Sequence, residues 1–137
     1  MAFIKKRTRL GRHILVDFFG VDAKKLQDRK KLMAVLRSAL KKGGFNIIKE
    51  AGGHKFKGGG EGVTGFILLA QSHAAFHSYP EYGYMALDIY SCGDHDPKPI
   101  VRCIEKHLQP KKILRFFHNR GTIISSNSHL TNHSKTR

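Results

Sequence analysis

Residues 82–92 read Tyr-Gly-Tyr-Met-Ala-Leu-Asp-Ile-Tyr-Ser-Cys, so Met85, Leu87 and Ile89 alternate with Ala86, Asp88 and Tyr90. Successive side chains of a strand point to opposite faces, and this period of two therefore specifies a strand with one apolar face. That face needs a cover, and two segments have the pattern to supply it. In residues 22–42, Leu26, Met33, Leu36 and Leu40 recur at helical intervals among lysines, with Asp22 as N-cap and Gly43-Gly44 as the stop. A second helix opens at Asp96-Pro97, carries the stripe Ile100, Ile104 and Leu108, and ends before Pro110.

Residues 12–19 form a first strand closed by Gly20, residues 45–49 a second, residues 54–57 a short third, and residues 112–118 a last one. The most apolar strand spans residues 63–70, and it is expected to pair with residues 82–92 near the centre of the sheet. Residues 58–62 read Gly-Gly-Gly-Glu-Gly; lacking a Gly-Lys-Ser/Thr ending and a following helix, they read as a flexible turn, not a phosphate loop. One layer of strands covered by two amphipathic helices is an α+β fold, a two-layer sandwich with a mainly antiparallel sheet. At 137 residues the chain suits one domain. We place it at residues 1–118, with residues 119–137 as a basic, flexible tail.

The formal charge of +15 points to nucleic acid or an acidic membrane surface. Against this, the basic residues are spread over residues 5–9, 24–31, 41–42 and 111–120, without the aromatic interleaving of a recognised RNA-binding motif. The expectation is a solvated basic surface, with no nucleic-acid or membrane partner. No apolar run approaches the roughly 20 residues of a membrane span, and the N-terminus lacks the pattern of a secretory signal, so a cytoplasmic location is expected. Cys92 and Cys103 have neither zinc-knuckle nor redox spacing and are expected as free thiols; the nine histidines show no ligand pattern, and no metal is expected.

The chemistry lies in four spaced elements: Gly62-Val63-Thr64-Gly65, then Gln71-Ser72-His73, then residues 77–84 reading His-Ser-Tyr-Pro-Glu-Tyr-Gly-Tyr, then Cys92-Gly93. Together with Gly11-Arg12-His13 they resemble the bacterial and archaeal S-adenosylmethionine decarboxylase family, which has Gly-Val-Ser/Thr-Gly, Glu-Ser-His, His-Thr-Trp-Pro-Glu-Tyr-Gly-Tyr and Thr-Cys-Gly at these intervals. The likeness runs to about Lys112. It implies a proenzyme that cuts itself between Gln71 and Ser72, turning the former serine into a pyruvoyl cofactor, which forms a Schiff base with the substrate amine and draws electrons as carbon dioxide leaves. By the same resemblance, Thr64 and His77 assist processing and Cys92 protonates the decarboxylated carbon. The product is the aminopropyl donor of polyamine synthesis.

For the substrate the resemblance implies Phe56 stacked on adenine, Glu81 on the ribose hydroxyls, and Tyr79 beside them. An aromatic face and a carboxylate both suit an adenosyl sulfonium. Gln71 stands where the family has glutamate, Ser78 where it has threonine, Tyr79 where it has tryptophan, and the glycine run is longer. Some members act on ornithine or arginine, and these basic amino acids remain alternative substrates; a silent homologue that binds nucleic acid or a partner enzyme is a further alternative. A homodimer of cleaved protomers with sites between them is also implied.

Overall fold

The computed structural model describes residues 6–57 and 59–125. Six strands form one antiparallel sheet: β2 (Gly11–Phe19), β3 (Ile47–Lys55), β4 (Val63–Leu69), β5 (Ser72–Tyr79), β6 (Tyr84–Cys92) and β7 (Lys112–Arg120), in the order β3-β4-β5-β6-β2-β7. Three helices, α1 (Ala23–Gln27), α2 (Arg29–Lys42) and α3 (Lys98–Leu108), cover one face. The α+β two-layer sandwich is thus the observed fold. Met85, Leu87 and Ile89 point into the core as their alternation requires, in one buried cluster with Leu36 and Leu40 of α2 and Ile104 of α3. Fully burying such a side chain contributes about 1.5–3 kcal/mol.

Several details differ from the sequence expectation. The first helix is two. Asp28 takes a non-helical conformation (φ −82°, ψ 83°), ending α1, and its carboxylate accepts the Lys31 N–H at 3.0 Å to start α2. Asp22 caps α1 in the same way through the Lys24 N–H at 2.8 Å. Residues 45–49 and 54–57 do not make separate strands; residues 47–49 and 54–55 of them are the two ends of β3, whose register shifts between Ile47 and Lys49 and between Gly52 and His54. Gly52 (φ 116°) permits the second shift, since a Cβ there would lie 2.9 Å from the Thr64 carbonyl oxygen.

β4 and β6 do not pair with each other. β5 lies between them, Leu69 opposite Ser72 and Tyr79 opposite Tyr84. Tyr82 belongs to a short 3-10 turn, Pro80–Tyr82, that joins β5 to β6. Ordered pairing also continues past residue 118: β7 runs through Arg120, and β8 (Ile123–Ser125) pairs with β1 (Lys6–Thr8) in a separate ribbon. The rest of the expected tail, residues 126–137, lies outside the described residues. Among the described residues no helix is long and apolar enough to cross a membrane.

Candidate active site

Among the described residues no helix covers the other face of the sheet. It carries Phe66, Leu68 and Phe116, which are 37–48% exposed, flanked by the polar residues of two clefts at opposite ends of β5.

At one end, Ala70 and Gln71 make the two-residue turn of the β4–β5 hairpin. Gln71 takes a left-handed conformation (φ 60°), which costs a residue with a Cβ about 1–2 kcal/mol. Ser72 follows, buried, its hydroxyl oxygen accepting the Cys92 N–H at 2.9 Å. This bond crosses between β5 and β6 and fixes the oxygen at the start of the strand. The Cys92 thiol, half-buried, donates to the Gln71 side-chain carbonyl at 3.5 Å. Both cysteines are free thiols. A cleft of about 750 Å³ opens here, lined by Asn46, Gln71, Ser72, Cys92 and Asp94 among others; on the other side of Ser72 a second, of about 440 Å³, is lined by His13, His73, Tyr90 and Arg120.

At the far end, Thr64 lies opposite His77 in register, and its hydroxyl is 2.9 Å from His77 Nδ1. Phe56, Thr64, His77, Tyr79 and Glu81 line one cleft of about 410 Å³. An aromatic ladder runs beside it: Tyr79 stacks on Tyr84 with ring centres 5.4 Å apart, and Tyr84 on Phe19 at 5.2 Å. Burial, with the hydrogen bond that Tyr84 donates to Asp17 at 2.7 Å, pushes the Tyr84 hydroxyl up to about 12. The Ser78 hydroxyl turns away from the cleft; it donates to the Leu26 carbonyl (2.7 Å) and accepts the Val63 N–H (2.8 Å), tying the sheet to α1.

The predicted residues therefore fall into two groups. Gln71, Ser72 and Cys92 meet at one end, and Phe56, Thr64, His77, Tyr79 and Glu81 at the other. Five residues of extended strand separate Ser72 from His77, roughly 17 Å, beyond any direct proton transfer.

Sequence reasoning assigned no role to His13, His73, Tyr90 and Arg120. Arg120 Nη1 is 3.0 Å from His13 Nδ1, and burial lowers the His13 pKa, helped by Arg120, His73 and His118 and opposed by Asp88. Tyr90 and Cys92 share a face because they are two residues apart on β6. That signal was present in the alternation.

The family model described as S-adenosylmethionine decarboxylase matches residues 12–121. The chain belongs to the S-adenosylmethionine decarboxylase family. Among curated relatives, the S-adenosylmethionine decarboxylase proenzyme of Pyrobaculum aerophilum is 36% identical over 116 residues, covering 84% of this chain and 91% of the relative. That of Aquifex aeolicus is 35% identical over 117 residues, covering 83% of each. The crystal structure of the adenosylmethionine decarboxylase from Aquifex aeolicus superposes with a TM-score of 0.75 at 34% identity, covering 89% of this chain and 98% of that one. The S-adenosylmethionine decarboxylase match spans β2 to β7 and so takes in all three clefts.

Proposed function

We propose that this chain is a self-processing decarboxylase of S-adenosylmethionine whose cofactor is a pyruvoyl group made from Ser72. The observation that carries this reading is the Gln71-Ser72 peptide itself, held in a hairpin turn with Gln71 at φ 60° and the Ser72 oxygen fixed by the Cys92 N–H. In processing, Ser72 Oγ attacks the Gln71 carbonyl carbon; the C–N bond breaks as the C–O ester forms, and the hydroxyl proton ends on the Ser72 nitrogen. Loss of the Ser72 Cα proton expels the Gln71 carboxylate. The new enamine tautomerises, and water replaces its nitrogen as ammonia, leaving a ketone beside the peptide carbonyl. The pyruvoyl ketone supplies an electron sink for an amine substrate that loses carbon dioxide. Cys92, at the same end of the sheet, is placed to return a proton to the product carbon.

Phe56 and Tyr79 offer ring faces, and Glu81 a carboxylate, around one cleft of about 410 Å³. That set suits an aromatic base and ribose hydroxyls on a cation, and it favours S-adenosylmethionine over ornithine or arginine, which have no ring to stack. Intact mass of the denatured protein tests processing: two fragments split before Ser72, the later one starting with pyruvoyl, are expected. Carbon dioxide release from S-adenosylmethionine, ornithine and arginine then tests the substrate, and release from either basic amino acid alone would overturn the assignment.

The roughly 17 Å between Ser72 and His77 fits a homodimer whose partner completes each site. A two-fold axis near the middle of β5 sets Ser72 of one copy beside Thr64 and His77 of the other. The same pairing covers Phe66, Leu68 and Phe116.

A further inference from the structure

On the helix-covered face, the layer stops short of the sheet edge. α3 packs on β2, and among the described residues no helix covers β7 beyond it, so Phe117 is 42% exposed. Arg115 and Phe117 of β7, Lys98, Val101 and Arg102 of α3, and Ile14 line a groove of about 450 Å³ between the two elements. Lys98 Nζ sits over the Phe117 ring, 5.3 Å from its centre. Arg115 donates to Glu105 at 2.6 Å, which offsets one of the three positive charges. Lysines and arginines on an edge strand commonly guard it against pairing with other chains. That role needs charge along the edge; it does not need cations from a helix and a strand to converge on an aromatic ring.

We propose that this groove binds single-stranded nucleic acid, a base lying against Phe117 and the flanking phosphates on Lys98, Arg102 and Arg115. Spread along the sequence, the basic residues form no motif. Folding brings α3 against β7 and produces the combination of ring and cations that holds single strands without base specificity. Charge complementarity selects the occupant: the chain carries 25 Lys and Arg against 10 Asp and Glu, an excess suited to a polyanion. An acidic peptide would satisfy the cations and leave the ring without a planar partner. The groove lies on the opposite side of the sheet from the open face proposed as the dimer contact, and it shares no lining residue with the clefts around Ser72 and His77, so occupancy is compatible with both.

The chain contains no tryptophan, so Phe117→Trp places a single reporter in the groove. Titrating the processed Phe117→Trp protein with an oligothymidylate of about 20 nucleotides should quench its fluorescence saturably. Three phosphate contacts set a slope of about −2 for log affinity against log salt. In the wild-type background, Phe117→Ala should weaken binding of the labelled oligonucleotide on the order of tenfold, and Lys98→Glu with Arg102→Glu at least as much, with decarboxylation unchanged. Reversal of the exposed Lys24 and Lys30 on α1 and α2 should have a smaller effect. The proposal is overturned if that reversal weakens binding as much as the groove variants do, or if the indole fluorescence of the Phe117→Trp protein does not respond. It is equally overturned if polyglutamate binds at the groove and the oligonucleotide does not.

Discussion

The separation of the two clefts makes a sharp prediction about mixed dimers. Ser72 and His77 stand roughly 17 Å apart on one strand, five residues at about 3.3 Å each, whereas proton transfer needs a contact of about 3 Å or one bridging water. If His77 acts on Ser72, it must be the partner's His77. Ser72→Ala removes the nucleophile, and His77→Ala removes the processing histidine; each alone should give an uncut, inactive dimer. In a mixed dimer of the two variants, one site carries both lesions and the other neither. The chain bearing His77→Ala keeps Ser72 and meets the intact His77 of its partner, so it should be cleaved. Co-expression with two different tags isolates such dimers, and intact mass reads each chain by itself. The expected result is full cleavage of the His77→Ala chain, no cleavage of the Ser72→Ala chain, and about half of the wild-type decarboxylation per dimer. Mixed dimers in which both chains stay whole would refute a site built from two copies. Cleavage of the His77→Ala chain in its own homodimer would refute the histidine's role.

Three further outcomes follow from the geometry. Cys92→Ala should leave processing intact, because Ser72 Oγ is held by the Cys92 backbone N–H and not by the thiol, while turnover falls about 10²–10⁴-fold; intact mass and carbon dioxide release separate the two. Ser78→Ala strands the Val63 N–H and the Leu26 carbonyl inside the protein and should cost about 1–3 kcal/mol in urea unfolding; a loss within error would mean that those groups find other partners. The third concerns acid. His13 is half-buried with its pKa held below the ordinary 6.5, so above that value it is neutral in both states and contributes no pH dependence. As pH falls below 6.5, the unfolded chain takes up a proton that the folded chain resists, and stability is lost. His13→Gln should flatten the dependence of unfolding free energy between about pH 7 and pH 5, and parallel curves for the two proteins would sink this assignment.

β6 was legible because three of its four buried positions, Met85, Leu87 and Ile89, are apolar and only Ser91 at its end is not, and α3 because its stripe and its Asp96-Pro97 start are local signals; Asp96 does accept the Lys98 N–H at 3.0 Å. β5 was not. Its buried positions are Ser72, Ala74, Phe76 and Ser78, and two hydroxyls among four erase the alternation. Those hydroxyls are tolerated inside because each is satisfied across the structure, Ser78 by Val63 and Leu26 and Ser72 by Cys92. The same substitutions that hid the strand thus anchor the site. Asp28 escaped notice for a related reason: an aspartate within a lysine-rich helical pattern looks like a surface charge until its backbone leaves the helix and its carboxylate caps the next one. The candidate site residues came from the family resemblance, and Phe56, Thr64, His77, Tyr79 and Glu81 do share a cleft. Spacing could not divide them from Ser72 and Cys92, because that division depends on register. Once β5 is inserted between β4 and β6, Thr64 is opposite His77 and Ser72 is opposite Leu69, at the other end of the same hairpin. A strand that hid its own pattern is therefore also the element that separates the reacting groups and makes a second copy necessary to the proposed chemistry.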